Sequence, residues 1–327
     1  MNIGIAGSGM IVPDFLKAAA KVSEIEVKAI CGREKSREKL EWISSEYNIE
    51  KIYYDYDEMI NRDKIETIYV AMPNNMHYEY AKAALNGGKN VILEKPFASN
   101  LGQAEELVKI AQEKRVYLFE AITNQYFPNY YKVKELVCEL GDIKIVELNY
   151  SQYSSRYDSF KMGEVLPVFN PKMSGGALMD LNVYNIYFIT GLFGQPDKIH
   201  YYANVEKDID TSGILIMEYP KFKCTAIGAK DCKAPLNINI QGDKGYINSS
   251  SPANVFSEFT FARNDGNCEE FSLNEVKERL YYELCEFVKM TEEDDYDRNI
   301  EQMNHSLMVM NILDEARRQA GIEIQGL

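Results

Sequence analysis

Short apolar runs alternate with longer amphipathic segments up to about residue 123 of the chain. The runs that predict strands are MNIGIAG, IEVKAICG, the first residues of KIYYDYDEMINRD, ETIYVAMP, NVILEKPF and VYLFEAI. The segments that predict helices are PDFLKAAAKV, SREKLEWISSEYN, the last part of KIYYDYDEMINRD, HYEYAKAALNGG and LGQAEELVKIAQEKR. Strands that alternate with helices are typical of βαβ units, so this part of the chain predicts a doubly wound, parallel sheet.

From about residue 140 the pattern changes to strand-like runs in which apolar and polar residues often alternate. These runs are KIVELNYSQYS, KIHYYANVEK, TSGILIMEYP, KCTAIGA, LNINIQGD and KGYINSS. A helix is predicted near 175–193, and a last helix over about 299–320 follows the acidic run EEDDYD, which we interpret as a loop. We therefore expect a large, open, mostly antiparallel sheet backed by helices. The chain thus combines α/β and α+β architecture, with one domain over residues 1–122 and a second α/β domain over 123–327.

The turn after the first strand, in GIAGSGMIV, has the character of a phosphate-binding loop. Gly7 permits a tight turn, Gly9 lets a pyrophosphate approach the backbone, and Met10 and Ile11 begin the helix whose free N–H groups face it. The third small residue of such loops is replaced by Val12, whose position normally serves helix–strand packing. The position of the loop predicts a dinucleotide site, and a purely structural glycine turn is the alternative.

The end of the second strand bears on which dinucleotide is bound. Dinucleotide-binding folds that prefer NAD carry a carboxylate there, but Cys31 and Gly32 occupy this place in the segment ICGREKSR. Arg33 is placed to meet a 2′-phosphate, which favours NADP(H) over NAD(H), and a solvated charged loop is the alternative. Asn74 follows the strand end at Pro73, at the edge where cofactors bind in doubly wound sheets, so we expect both residues at the cofactor.

Charge and composition exclude several other classes of function. The formal net charge of −14 disfavours nucleic acid as the main partner. No run of about 18 apolar residues predicts a membrane span. The six cysteines form no CxxC pair and only three histidines are present, so we predict no metal site. We expect reduced thiols and, with no signal peptide, a cytoplasmic protein.

Two further segments carry a resemblance to a known family. AMPNNMHYEYAKAALNGGKNVILEKPF spans residues 71–97, and SGGALMDLNVY spans 174–184. Together they resemble the glucose-fructose oxidoreductase, inositol dehydrogenase and rhizopine-catabolism family of NAD(P)-dependent oxidoreductases, over essentially the whole chain. The segment FNPKMSGGALMDLNVYNI is most similar to the branch of dihydrodiol and D-xylose dehydrogenases, which has tyrosine where other members often have histidine.

The resemblance implies a Rossmann domain, a C-terminal domain whose sheet builds a homodimer or larger homo-oligomer, and an active site between the two domains. It implies that Lys95, Asp180 and Tyr184 are catalytic, and that Glu94 and Lys95 lie at the cofactor. A nearby ammonium such as Lys95 would favour the phenolate of Tyr184, which could then take a proton from a substrate hydroxyl. Taken singly, the three residues could instead be a turn lysine, a local helix-capping or pairing carboxylate and a core aromatic.

The predicted function is hydride transfer between nicotinamide and a hydroxyl or carbonyl of a sugar, polyol or related diol. Arg156 and Asn185 are candidate substrate contacts, with surface solvation as the alternative. Two positions depart from the family pattern: Asn182 replaces a frequent glycine, and Gln125 replaces a frequent arginine. The loss of that positive charge makes acidic substrates and sugar phosphates less expected. A non-enzymatic NAD(P)-binding regulator of the same fold is the alternative function.

Overall fold

A computed structural model describes residues 1–62 and 64–323 of the chain. The residues pack into two compact units. Of the described residues, those within 1–121 and 278–307 form the first unit, and those within 122–277 and 308–323 form the second. The predicted division into domains at residue 122 stays a prediction, because these units are defined by packing alone.

The first unit is built on a six-stranded sheet in which every neighbouring pair of strands is parallel. Its strands are β1 (Asn2–Ala6), β2 (Glu26–Cys31), β3 (Lys51–Tyr53), β4 (Thr67–Val70), β5 (Asn90–Glu94) and β6 (Leu118–Ala121). The order β3-β2-β1-β4-β5-β6 confirms the predicted doubly wound, parallel sheet. The strand order reverses between β1 and β4, so the loops that follow these two strands are adjacent at the edge where such sheets bind ligands.

The second unit is built on an eight-stranded sheet with the order β14-β13-β12-β11-β7-β10-β9-β8. Its strands are β7 (Ile143–Ser151), β8 (Lys198–Glu206), β9 (Ile209–Glu218), β10 (Lys223–Ala229), β11 (Asn237–Gly242), β12 (Gly245–Ser249), β13 (Phe259–Arg263) and β14 (Cys268–Phe271). Only the pairing of β7 with β10 is parallel within the described residues, so the expected mostly antiparallel sheet is confirmed. The sequence analysis predicts neither β13 nor β14, and β14 is a short edge strand with mostly exposed side chains.

Ten α-helices complete the described part of the chain. They are α1 (Ile11–Ala19), α2 (Arg37–Glu46), α3 (Tyr56–Ile60), α4 (His77–Asn86), α5 (Leu101–Lys114), α6 (Pro128–Leu136), α7 (Tyr157–Lys161), α8 (Val183–Phe193), α9 (Tyr281–Glu292) and α10 (Tyr296–Gln319). The helix predicted near 175–193 begins as a π-helical segment, Leu178–Asn182, and continues as α8. The last helix starts earlier than predicted, because the Asp295 carboxylate accepts a hydrogen bond from the Arg298 N–H at 3.2 Å and caps it.

The two faces of the eight-stranded sheet differ in burial. Val146, Leu148 and Ile240 are fully buried on one face, where α8 contacts β7 and β10. The opposite face of the sheet bears large apolar side chains that are exposed in the single chain: Ile145, Tyr202, Ile214 and Tyr246. Tyr202 lies directly opposite Ile214 in the β8–β9 pair, and Tyr246 continues the row of Ile145 through Gln241.

Candidate active site

The opening loop contains two glycines with different structural roles. Gly7 has φ +113°, and its N–H donates to the carbonyl of Cys31 at 2.8 Å. A Cβ at Gly7 would lie 2.5 Å from the carbonyl oxygen of Ala71, so the fold itself requires glycine there. A Cβ at Gly9 would meet nothing closer than that same oxygen, at 3.6 Å. The space beside Gly9 is therefore left open by the fold, as a backbone approached by pyrophosphate requires.

Helix α1 follows this loop and is anchored by apolar packing. Met10 precedes the helix and is 72% exposed, and Ile11 is its first residue. Val12, at the position of the missing third glycine, is fully buried. The Phe15 ring stacks on Tyr69 of β4 with 3.8 Å between ring centroids. The valine thus joins the core beneath the helix, and the helix N-terminus lies at the loop.

Arg33 lies at the exposed start of the turn that follows β2. Its neighbour Arg37 pairs with Glu34 and covers the Tyr54 ring at 4.8 Å. Arg33 itself makes no ion pair with any residue that the structure describes. A phosphate-bearing dinucleotide therefore fits this unit: Gly9 leaves room for the pyrophosphate, and the Arg33 guanidinium is available for a 2′-phosphate.

A buried histidine joins the two loops that follow β4 and β5. The His77 ring has Nδ1 at 2.8 Å from the carbonyl oxygen of Pro96 and Nε2 at 2.8 Å from that of Met72. Burial lowers the pKa of His77, and the nearby charge of Lys95 lowers it further. The ring thus lies between the chain before Pro73 and the segment after Lys95, with one ring nitrogen within hydrogen-bond distance of a carbonyl in each.

Glu94 and Lys95 stand at the end of β5, and both side chains are partly buried. The Tyr69 hydroxyl donates to Glu94 Oε1 at 2.6 Å. Burial raises the pKa of Glu94, and burial together with the charge of Glu94 raises the pKa of the buried Glu283 from α9. One Glu94 oxygen is thus already engaged within the first unit, and its predicted place at the cofactor ribose stays a prediction.

Asp180 and Tyr184 lie on the π-helical segment and on the first turn of α8. Asp180 Oδ2 pairs with Nζ of Lys230, a residue that follows β10 and that sequence reasoning missed. The Tyr184 side chain is buried at 4% exposure, and its ring centroid lies 6.4 Å from that of Tyr150. Its carbonyl accepts a hydrogen bond from Asn124 Nδ2 at 2.7 Å. The second unit therefore holds both motif residues on one anchored helical segment.

Two asparagines tie this segment to β10. Asn182 Nδ2 donates to the carbonyl of Ala226 at 2.9 Å, and its Oδ1 accepts from Asn185 Nδ2. Asn185 Nδ2 also donates to the carbonyl of Ile227 at 3.0 Å. A Cβ at Gly228 would lie 2.7 Å from the Asn182 Cβ, so a glycine on the strand makes room for the larger residue on the helix. Both amide hydrogens of Asn185 are engaged in these bonds, and its predicted substrate contact is not tested by them.

Gln125 and Arg156 both belong to the second unit. Gln125 Nε2 donates to the carbonyl of Tyr187 at 3.0 Å, so the residue at the family's arginine position braces α8. Arg156 is partly buried and precedes α7, where its carbonyl accepts from the N–H of Phe160 at 3.1 Å. The arginine lies on a chain segment of the second unit, and its predicted contact with substrate stays a prediction.

A buried carboxylate, Asp210, anchors the start of the π-helical segment. Asp210 is 1% exposed, and its Oδ2 accepts from the N–H of Leu178 at 2.6 Å and from the Tyr201 hydroxyl at 2.9 Å. Burial raises the pKa of Asp210 to about 6. The sequence hint for this residue is an aspartate at the start of a strand-like run, in EKDIDTSG. The alternation of apolar and polar residues there makes it look like an ordinary exposed position.

The parallel sheet and the glycine loop after β1 are those of a dinucleotide-binding domain, and a mostly antiparallel sheet forms the second unit. Residues 1–122 match the model of the oxidoreductase family with an NAD-binding Rossmann fold, and residues 130–248 match the GFO/IDH/MocA C-terminal domain. The chain belongs to this GFO/IDH/MocA oxidoreductase family, and it is an NAD(P)-binding dehydrogenase or reductase that acts on CH–OH groups. The family resemblance identified from the motifs is therefore confirmed.

Individual relatives extend over nearly all of the chain. The scyllo-inositol 2-dehydrogenase (NADP(+)) IolU of Bacillus subtilis is 33% identical over 98% of both chains. Trans-1,2-dihydrobenzene-1,2-diol dehydrogenase of Xenopus tropicalis is 26% identical over 98% of both chains. Crystals of KijD10, a 3-ketoreductase from Actinomadura kijaniata, show the same fold, with a TM-score of 0.84 and 20% identity over 98% of this chain and 97% of that one. These named dehydrogenases favour the enzymatic function over the regulatory alternative.

No helix within 1–62 and 64–323 is long and apolar enough to cross a bilayer. The same residues contain no group of three or more histidine, cysteine, aspartate or glutamate side chains that could hold a metal ion. The cytoplasmic location stays a prediction.

Proposed function

We propose that the protein is an NADP(H)-preferring dehydrogenase of polyols, sugars or related diols, in which Lys95, Asp180 and Tyr184 serve the chemical step. The observation that carries the proposal is the coexistence of an open space beside Gly9 with the complete motif set in one chain. The relatives support the substrate class, because inositol, dihydrobenzene-diol and xylose all present secondary or anomeric hydroxyls next to another hydroxyl.

The preference for NADP(H) rests on Arg33. No carboxylate stands at Cys31 or Gly32, where it would bond the ribose 2′-hydroxyl of NAD, and Arg33 makes no ion pair within the described residues. The relatives from Bacillus subtilis and Hypocrea jecorina are both named as NADP(+) enzymes. Gly7, Gly9, Met10 and Ile11 are proposed to surround the pyrophosphate, with Pro73, Asn74 and Glu94 completing the cofactor contacts.

Interconversion of an alcohol and a carbonyl requires the transfer of one hydride and one proton. The bound nicotinamide supplies or accepts the hydride. The Tyr184 hydroxyl gives its proton to the carbonyl oxygen in reduction and takes it back from the hydroxyl in oxidation. Lys95 stabilises the negative charge that develops on that oxygen. Asp180, with Arg156 and Asn185 as further candidates, orients the substrate hydroxyls.

The direct test replaces Lys95 with methionine, which keeps most of the length of the side chain and removes its charge. We expect kcat on a turned-over polyol to fall by about 100-fold or more, while the Kd for NADPH changes only a few-fold. The matched control is Lys114→Met, at the exposed end of α5 in the same unit. Turnover of the Lys95 variant within a few-fold of the wild type would refute the assigned role.

We also propose that the exposed face of the eight-stranded sheet binds a second copy of this chain. The exposed apolar side chains Ile145, Tyr202, Ile214 and Tyr246 lie along neighbouring strands of that face. Apolar surface of this kind on an open sheet is covered in most soluble proteins. A two-fold axis would place the same face of both copies in contact and give a homodimer, from which a tetramer could be built.

A further inference from the structure

Lys230 is a buried, charged partner of the motif residue Asp180 in the second unit. Its side chain is 5% exposed, whereas that of Asp180 is 31% exposed. Its Nζ pairs with Asp180 Oδ2 and lies 5.7 Å from the centroid of the buried Phe169 ring. The apolar ring lies on one side of the ammonium, and the Asp180 carboxylate offsets part of the cost of burying its charge.

The backbone around Lys230 is fixed on both sides of the residue. The Lys230 N–H donates to the carbonyl of Thr211 at 2.8 Å, and its carbonyl accepts from the N–H of Ser154 at 2.8 Å. These bonds extend the ladder of β10 towards β9 on one side and hold the loop after β7 on the other. The ammonium is thus presented from a rigid strand end, which is the kind of element that positions a side chain accurately.

The backbone around Asp180 is also fixed by hydrogen bonds. Its N–H donates to the carbonyl of Gly176 at 3.1 Å, and the segment that carries it is anchored by Leu178 on Asp210 and by Asn182 on Ala226. A buried ion pair of this kind contributes little net stability, since the cost of desolvation offsets the attraction. Its clearer consequence is geometric: one carboxylate oxygen is occupied by Lys230, while part of the side chain remains exposed.

We propose that Lys230 is a positioning residue that fixes the Asp180 carboxylate so that its exposed edge accepts a hydrogen bond from the substrate hydroxyl next to the reacting carbon. This inference rests on the proposed function, in which Tyr184 serves the reacting oxygen. Asp180 and Tyr184 lie about one helical turn apart, which suits contacts with two neighbouring oxygens of one small molecule. The substrate class is thereby narrowed to compounds with vicinal hydroxyls.

The experiment compares the wild type with Lys230→Met, Lys230→Arg, Asp180→Asn and the double variant Lys230→Met/Asp180→Asn. Each is assayed with a substrate pair that differs by the adjacent hydroxyl: trans-cyclohexane-1,2-diol against cyclohexanol, and D-xylose against 2-deoxy-D-xylose. The matched control is Lys233→Met, an exposed lysine in the loop after β10. NADPH titration and thermal melting are measured for every variant.

We expect Lys230→Met to lower kcat/KM for the vicinal diol by about tenfold or more. The ratio of kcat/KM for the diol to that for the compound without the adjacent hydroxyl should fall by a similar factor. The Kd for NADPH should stay within about twofold of the wild-type value. Lys230→Arg keeps the cation and is expected to retain more of the preference than Lys230→Met. Lys230 acts through Asp180, so adding Lys230→Met to Asp180→Asn is expected to change kcat/KM very little. The double variant removes both charges and keeps this comparison possible if Lys230→Met does not fold.

Three results would overturn the inference. The first is an unchanged preference for the vicinal diol in folded Lys230→Met. The second is a fully additive effect of the two substitutions on kcat/KM. The third is a loss of kcat/KM that simply follows the melting temperatures of the variants. Failure of the proposed function looks different, because the wild type itself would then turn over none of the four compounds, and the inference would fall with it.

Discussion

The buried carboxylate of Asp210 makes a prediction about how stability depends on pH. The residue is 1% exposed, and burial raises its pKa from 3.8 to about 6. A carboxyl whose pKa is raised by folding stabilises the native state below the pKa of the unfolded chain, and this contribution is lost as the pH rises through the folded value. The shift of about 2 units corresponds to about 3 kcal/mol in total, of which about 2 kcal/mol is lost between about pH 4.5 and pH 7.

The perturbation is Asp210→Asn, which keeps an oxygen for the Leu178 N–H and the Tyr201 hydroxyl but cannot ionise. The new amide N–H groups replace Oδ1, a buried atom without a hydrogen-bond partner among the described residues, so the variant has a cost of its own. That cost does not depend on pH. The difference in unfolding free energy, variant minus wild type, is therefore expected to rise by about 2 kcal/mol between about pH 4.5 and pH 7.

The assay is urea unfolding followed by far-ultraviolet circular dichroism at several pH values, with Asp197→Asn as the control. Asp197 is exposed and belongs to the same unit, so its replacement removes the same formal charge without removing a buried carboxyl. If the difference in unfolding free energy between Asp210→Asn and the wild type stays constant across this range, the Asp210 pKa is not raised by folding. A difference of the opposite sign would mean that the native state stabilises the ionised form.

Three further predictions address the cofactor and the assembly. Gly9→Ala is expected to melt like the wild type, because its Cβ would be 3.6 Å from the nearest atom, yet to weaken NADPH binding by about tenfold or more in a fluorescence titration. Arg33→Ala is expected to raise the Kd for NADPH by about 10- to 100-fold and to leave that for NADH nearly unchanged, and equal losses for both would contradict the assignment. Ile214→Lys, on the exposed sheet face, is expected to shift the protein from dimer to monomer in sedimentation velocity, and a monomeric wild type would remove the basis for that prediction.

Much of the fold could be predicted from local patterns. The strand KCTAIGA corresponds to β10 over Lys223–Ala229, and GIAGSGM forms the turn before α1, because short buried runs and glycine turns are encoded in neighbouring residues. Helix α9 was not predicted, although Leu284, Phe287 and Val288 have helical spacing and are buried. The acidic run EEDDYD, interpreted from the sequence as a loop, lies only partly outside helices, because residues 293–295 alone separate α9 from α10.

The partners of the candidate site could not be predicted in the same way. Lys230 is 50 residues from Asp180 in the chain, and Asp210 is 32 residues from Leu178. Such pairs are set by how strands and helices pack, and a single sequence contains no local signal for them. The motif gave the identity of Asp180 and Tyr184, but the groups that fix the Asp180 carboxylate appear only in the folded chain.

Absorbance at 340 nm shows whether this chain transfers hydride to and from a polyol or related diol. Purified protein is mixed with NADP⁺ and, separately, scyllo-inositol, D-xylose and trans-cyclohexane-1,2-diol, with Lys95→Met as the inactive reference. We expect NADPH to form with at least one of these compounds, faster than NADH forms when NAD⁺ is supplied instead, and far faster than NADPH forms with the Lys95→Met variant. Tight NADPH binding without reduction of NADP⁺ by any of the three, and without oxidation of NADPH by the corresponding ketones and lactone, would contradict the claim and favour a regulatory protein.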